Sequence, residues 1–415
     1  MRRASLDLAF LAALTLLTNF VYFAYSNGDY FFPDSRTYIE PAQSMLAGRG
    51  FVRAGGIIET FRTPGYPLFL MLFRSVTTVV VVQHLMNVAL AMAIYLFARQ
   101  RFSRGVAIAA AVLFALDTPT ILYANKVLTE TLFTAVLFAL IWLVLGESHA
   151  AKRRVRGVPV AMTVAGLLAG ALVLIRPAAI LYFAVVAIVF VRRRRIAIFV
   201  IASLLLPLGW AARNKARTGV FAISDVAGIN MLLHRAAPSL AIFDDYAFDD
   251  ALKDRQNELS ADADTEIERT LHIASAGDLN PAQHAKWFGR IGRRIALQHP
   301  FGLAVVLIRG VFVNLFDSDA EATTMLSSVP ESLLQIALDV WTHAIALLAL
   351  AGIWLIRKRD RTLSLFFALT VAYFVVISAG SEAEARFRVP IVPVIAISAA
   401  IGADAIRRAA APDSR

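Results

Sequence analysis

Long apolar runs recur from one end of this chain to the other, at 8–25, 77–98, 105–121, 127–146, 158–175, 177–191, 196–212, 333–356, 362–379 and 390–406. A helix needs about 20 apolar residues to cross about 30 Å of hydrocarbon, so runs of this length specify membrane spans. A soluble protein with an oversized core would not gather its apolar residues in such lengths. Composition agrees: 58% of the 415 residues are hydrophobic, before 22 Gly are counted, and only 17% are charged. A soluble domain carries roughly 25% charged residues. The expected fold class is an all-α polytopic membrane protein with about ten transmembrane helices and external loops carrying juxtamembrane helices. An ordinary cytoplasmic globule, a disordered chain and a coiled coil are excluded.

The excess of 41 Lys and Arg over 30 Asp and Glu would suggest nucleic acid in a soluble protein. Here the cations sit in short clusters between apolar runs, at Arg2-Arg3, Arg99 to Arg104, Lys152 to Arg156, Arg192 to Arg195, Arg357 to Arg361 and Arg407-Arg408. Alternate connections place them on one side, facing membrane lipids, and the positive-inside rule makes that side the cytoplasm. The expectation is a multi-pass protein of a bacterial cytoplasmic membrane, with both termini inside and no nucleic-acid partner. The first run reads as an uncleaved span rather than a signal peptide, because no small-x-small site follows it. Absence of Cys excludes disulfides, thiolate catalysis and Cys-based metal sites.

Long polar segments fall on the opposite side, at 26–76, 213–332 and 380–389. This divides the chain into an N-terminal transmembrane module (1–212) whose first external loop is 26–76, an external and juxtamembrane region (213–332), and C-terminal helices (333–415). The acid-rich stretch 244–268 reads as a solvated face of a small external subdomain. The run 301–316 contains Arg309, and charge bias argues that it lies at the interface or re-enters, led by a basic interfacial helix.

Ionisable residues beside apolar runs are costly and therefore informative. Asp34 follows Pro33 shortly after the first run, where it could cap a helix or do chemistry. Arg62 precedes Pro64-Gly65-Tyr66-Pro67, a rigid turn; it could snorkel or meet a phosphate bidentately, with Tyr66 at the headgroup level. Glu130 opens the fourth run. Lys126, four residues earlier, could pair with it on one helical face; alternatively Glu130 and Asp34 share an external cavity. Arg386 and Arg388, two apart and so on one face if extended, suit a phosphate, or an internal network with Glu382 and Glu384.

The segments Pro33-Asp34-Ser35…Tyr38…Ala42…Leu46…Gly48-x-Gly50-Phe51 and Arg62-x-Pro64-Gly65-Tyr66-Pro67-Leu68-Phe69 resemble the membrane glycosyltransferases of the GT-C type. The likeness is to the bacterial branch related to protein O-mannosyltransferases and the lipid A aminoarabinose transferase. Thr129 to Phe133, Leu174-Ile175-Arg176-Pro177 and Arg386-Phe387-Arg388-Val389-Pro390 are similar to later landmarks. The resemblance implies a GT-C-like bundle that takes a sugar from a polyprenyl-phosphate donor and transfers it, outside the membrane, to a hydroxyl of a lipid, glycan or protein acceptor. It implies that Asp34 is the catalytic base and Glu130 the second acid. Arg386, Arg388, Arg62 and Arg176 become the donor-phosphate candidates, with Lys126 and Tyr66 supporting. A divalent cation such as Mg or Mn, held by Asp34 and Glu130, is left open, since Ser35 stands where many relatives have a second acid. Two other readings stay open: a transporter or lipid flippase, for which Gly166, Gly170, His84, Asn87 and His343 would be the polar or small positions, and a noncatalytic envelope-assembly subunit.

Overall fold

The structure, a computed structural model, describes residues 2–152, 158–190, 195–319 and 331–410. The basic positions Arg153, Arg154, Arg156 and Arg192 to Arg194, and the end of the 213–332 segment, lie outside the described residues. Among the described residues the fold is helical, and its β structure is one isolated bridge, Val52 to Ile58.

Among the described residues five helices are long and apolar enough to cross a membrane: Arg3–Tyr25, Val76–Arg99, Ile196–Thr218, Ser332–Ile356 and Ala385–Ala410. Counting each of two bent pairs as one span gives up to seven, and four shorter apolar helices accompany them: Glu130–Gly146, Val160–Ile175, Pro177–Phe190 and Arg361–Ile377. Large apolar side chains point outward from the long helices, among them Phe20 (66% exposed), Ile201 (64%) and Leu347 (62%). Such faces suit lipid as solvent, where only a helix or a closed barrel satisfies its own backbone. The chain is a multi-pass membrane protein.

Helix starts follow local capping chemistry. Ser75 Oγ accepts from the Thr78 N–H at 3.1 Å, and Asp360 Oδ1 from the Leu363 N–H at 3.0 Å. Asn280 and Gln283 form a reciprocal capping box ahead of Pro281–Gln298. Inside the bundle, Phe97, Phe133, Phe138, Phe199, Phe366 and Phe367 share one apolar core. A second core, built on Tyr38, Tyr66, Val79, Leu122, Tyr123 and Val389, joins the first polar segment to the spans. A third holds the subdomain of 226–298 together through Leu232, Leu259, Ile267, Phe288 and Ile291.

Three expected spans differ in detail. The run 105–121 breaks into Arg104–Ala115 and Thr118–Ala124, bent by 52°. Asp117 caps the second piece through the Thr120 N–H at 3.0 Å, and Pro119 cannot supply the hydrogen bond a continuous helix would need. The run 177–191 opens as a 3₁₀ turn, Pro177–Ala179, before Tyr182–Phe190. The fourth helix begins at Glu130, leaving 125–129 non-helical. The helix Pro300–Phe316 follows Pro281–Gln298 at 103°.

Buried polar side chains satisfy the non-helical stretch. Gln83 Nε2 donates to the carbonyls of Ala124 (2.9 Å) and Lys126 (2.8 Å), and Asn87 Nδ2 to that of Thr120 (3.2 Å). His84 bridges Asn19 (2.8 Å) and Asn125 (3.2 Å). His84 and Asn87 thus brace a broken helix, and line none of the cavities described below. The Val127 N–H donates to the Tyr30 carbonyl at 2.9 Å, which fastens the segment before Glu130 to the segment before Asp34.

Close approach at one glycine sets the rest. A Cβ on Gly65 would stand 2.6 Å from the Leu174 carbonyl oxygen and 2.7 Å from the Ile175 nitrogen. The Pro64-Gly65-Tyr66-Pro67 turn therefore lies directly against the Leu174–Arg176 backbone, bringing Arg62 and Arg176 to one place. We predict that Gly65→Ala, which adds only one methyl, costs about 1–3 kcal/mol. Thermal unfolding in detergent should show a clearly lowered midpoint; an unchanged midpoint would contradict this packing.

Candidate active site

A cavity of about 240 Å³ opens where the first polar segment, the Ile175–Ala178 turn, the 226–236 helix and the 378–387 connection meet. Its wall includes Asp34, Tyr38, Arg62, Glu130, Arg176, Asn230, His234, Glu382, Arg386 and Phe387. The two carboxylates expected to share a cavity do so.

Asp34 stands before the helix Ser35–Leu46, but its side chain makes no capping bond. It lies instead between two guanidinium groups, with Oδ1 2.6 Å from Arg62 Nη2 and Oδ2 3.1 Å from Arg386 Nη1. Burial alone would raise the Asp34 carboxyl; Arg62 and Arg386 outweigh it and hold the group below the ordinary aspartate value. Arg62 is fixed further: its Nε donates to Thr37 Oγ1 at 2.7 Å, and its guanidinium lies 4.5 Å from the Tyr38 ring centre. The backbone around it is pinned by Glu59, fully buried, whose Oε1 accepts from the N–H groups of Phe61 (2.5 Å) and Arg62 (2.9 Å). Arg213 donates to the carbonyls of Glu59 and Phe51, both at 3.1 Å.

Glu130, 1% exposed, receives Arg176 Nη1 at 3.1 Å and the Thr129 hydroxyl at 3.3 Å. The proposed helical pair with Lys126 does not form. Because the helix begins at Glu130, Lys126 has no i, i+4 phase with it, and its ammonium binds Asp29 at 2.7 Å. Arg388 also departs from expectation. The segment Ala385–Ile391 is a 3₁₀ helix rather than extended chain, so residues two apart face different ways. Arg386 enters the cavity, while Arg388, 4% exposed, donates to the carbonyls of Asp317 (2.7 Å) and Leu315 (3.2 Å) at the end of the helix Pro300–Phe316. Arg388 therefore does not line this cavity. Tyr66 is fully buried behind Tyr38, its hydroxyl donating to Gln83 Oε1 at 2.7 Å, and it does not sit at a headgroup surface.

The network with Glu382 and Glu384 is present beside the cavity. Arg235 Nη1 meets both Glu382 oxygens, at 2.8 and 2.7 Å, and Glu384 pairs with Arg386. Gly380 makes room for this: a Cβ there would lie 1.7 Å from Arg235 Nη1. Burial pushes the Glu384 carboxyl up to about 7, against the pull of Arg386. Asn230, His234 and Arg235 were missed from sequence, because nothing in their spacing marks them as approaching 378–387. Among the described residues no group of three His, Cys, Asp or Glu side chains is disposed to hold a metal ion. Asp34 and Glu130 are each committed to arginine, so the donor set does not fit a divalent cation.

No protein-family model matches the sequence, and no curated protein matches it. Solved structures do match the fold. The oligosaccharyltransferase AglB from Archaeoglobus fulgidus, in complex with an inhibitory peptide and a dolichol-phosphate, aligns with a TM-score of 0.51 at 14% identity, over 98% of this chain and 50% of its own. The apo form of the Archaeoglobus fulgidus oligosaccharyltransferase gives 0.52 at 14% identity, over 98% and 51%. ArnT from Cupriavidus metallidurans bound to undecaprenyl phosphate gives 0.41 at 16% identity, over 94% and 77%. The chain thus has a GT-C-like fold, and it spans about half the length of the archaeal enzyme.

Two predictions follow from the ion pairs. Arg176→Ala strands the buried Glu130 carboxylate and should destabilise by about 3–5 kcal/mol, whereas Arg176→Ala with Glu130→Gln recovers much of the loss. Denaturant unfolding of the two variants measures both. Glu384, raised in the folded state, contributes stability that is full below the ordinary glutamate value of 4.5 and lost as pH rises through about 7. Glu384→Gln should flatten the fall in melting temperature over that interval; a parallel fall in the variant would refute the assignment.

Proposed function

We propose that this protein is a glycosyltransferase that moves a sugar from a polyprenyl-phosphate donor to an acceptor hydroxyl on the external face of the cytoplasmic membrane. The observation that carries the reading is Asp34 held between Arg62 and Arg386 in a cavity that also contains the Glu130–Arg176 pair.

Glycosyl transfer from such a donor leaves a phosphate as the departing group. Its charge develops as the bond to the sugar breaks, and preorganised guanidinium groups stabilise it without reorganising. Arg62, Arg176 and Arg386 line one cavity and supply planar, bidentate donors suited to phosphate oxygens. Apolar spans beside the cavity suit a donor whose tail stays in lipid. The GT-C-like fold supports the reading, and the archaeal relative in that fold holds a dolichol-phosphate. In this reading Asp34 keeps Arg62 and Arg386 at a fixed separation, while Glu130 keeps Arg176 in place. The cation clusters of the intervening connections support a cavity on the external side.

The test is transfer from a panel of polyprenyl-phosphate sugars in liposomes. Asp34→Asn, which removes the charge that pairs with both arginines, should lower turnover about 10²-fold or more while the fold survives. Near-normal transfer by that variant would sink the assignment of Asp34.

A further inference from the structure

His234 stands in the only π-helical turn among the described residues, Leu232–Ala236, within a segment that is otherwise α-helical from Val226 to Ala241. Such wide turns are uncommon and re-aim side chains, often at functional sites. Here the turn carries His234 to the cavity wall. The imidazole is anchored from the far end of the chain. Its Nδ1 lies 3.1 Å from Ser381 Oγ, while the His234 carbonyl accepts from Arg235 Nη1 at 3.0 Å and from the Ser381 N–H at 3.4 Å. With Nδ1–H donating to Ser381, Nε2 carries the lone pair, and it has no hydrogen-bond partner among the described residues.

The other ionisable groups of the cavity are already spoken for. Asp34 is paired with Arg62 and Arg386, Glu130 with Arg176, and Glu382 with Arg235. A carboxylate between two guanidinium groups orients well but takes up a proton poorly. Tyr38 is driven by burial toward its protonated form and so can donate but not accept as a base. Burial likewise keeps His234 below the ordinary histidine value, hence neutral; Glu382 raises its proton affinity and Arg235 lowers it. No charged group of the helices Phe248–Leu271, Pro281–Gln298 and Pro300–Phe316, all packed against the same turn, is among the causes of that shift.

Building on the glycosyltransferase reading, we propose that His234 is the catalytic base, receiving at Nε2 the proton of the acceptor hydroxyl. The acceptor oxygen bonds to the sugar's anomeric carbon. The bond from that carbon to the phosphate oxygen breaks, its electron pair leaving with the polyprenyl phosphate, and the hydroxyl proton passes to Nε2. Asp34 holds the two arginines in line.

The experiment measures transfer from a polyprenyl-phosphate sugar that wild type uses, in liposomes, across pH, for wild type, His234→Gln, His234→Ala and Ser381→Ala. Expected are an acid limb in the wild-type kcat profile below the ordinary histidine range, and a roughly 10²-fold lower kcat in His234→Gln with donor KM little changed. That limb is absent in the variant. Imidazole should partly restore His234→Ala, and Ser381→Ala should shift the limb without removing it. If the His234 variants do not fold, the wild-type limb and its displacement in Ser381→Ala decide the matter: a profile without that limb, or one unmoved by Ser381→Ala, overturns the assignment. A His234→Gln enzyme with wild-type kcat and limb overturns the base and leaves the glycosyltransferase reading standing. A wild type inert toward every donor overturns both.

Discussion

A charge that leaves water must take a counter-charge with it, and the cavity is organised by that requirement. Each ion would lose several kcal/mol on burial if it were alone. Placing guanidinium against carboxylate offsets this, because attraction grows as the surroundings become less polar. The pairs are also long-range ties. Asp34 and Arg386 stand 352 positions apart in sequence, Arg235 and Glu382 147 apart, and Glu130 and Arg176 46 apart. The first polar segment, two helix ends and the final connection are therefore fastened around one space by groups that chemistry can also use.

Helical spans were legible because hydrocarbon thickness converts directly into run length. Their interruptions were less so. The 105–121 run stays apolar through its break, and only Asp117 and Pro119 announce it, as a cap and a first-turn proline inside an otherwise uniform stretch. The acids and arginines beside the spans were readable since ionisable residues there need a reason. What failed was phase. The Lys126–Glu130 pairing assumed a helix that in fact starts after Lys126, and the shared face of Arg386 and Arg388 held only for extended chain, where the segment is a 3₁₀ turn. Spacing arguments are only as good as the backbone they assume. His234, Asn230 and Arg235 had no such signal, because their depth is set by the 226–241 segment folding back onto 378–387 rather than by any local pattern.

The capping reading of Asp34 illustrates how two accounts of one residue separate. A cap would direct the carboxylate to the N–H groups of the following turn, whereas here the turn is closed by other means: Ser35 Oγ accepts from the Phe32 N–H at 2.9 Å, and the Thr37 hydroxyl donates to the Asp34 carbonyl at 2.6 Å. The helix start is thereby stabilised without the aspartate side chain, which is left to the arginines.

Counted together, the four carboxyl groups of Asp34, Glu130, Glu382 and Glu384 face the four guanidinium groups of Arg62, Arg176, Arg235 and Arg386. In the proposed reading an incoming phosphate adds negative charge to that set, and the response that costs least is for one carboxyl to take up a proton. Asp34 is held below the ordinary range and resists; Glu384, pushed up to about 7, is poised to accept one. Protonating Glu384 releases Arg386 from one of its two acids without disturbing the other. Anion binding and proton uptake are then linked by thermodynamic necessity, each favouring the other by the same free energy. In that reading the site gains net positive charge as a phosphate binds.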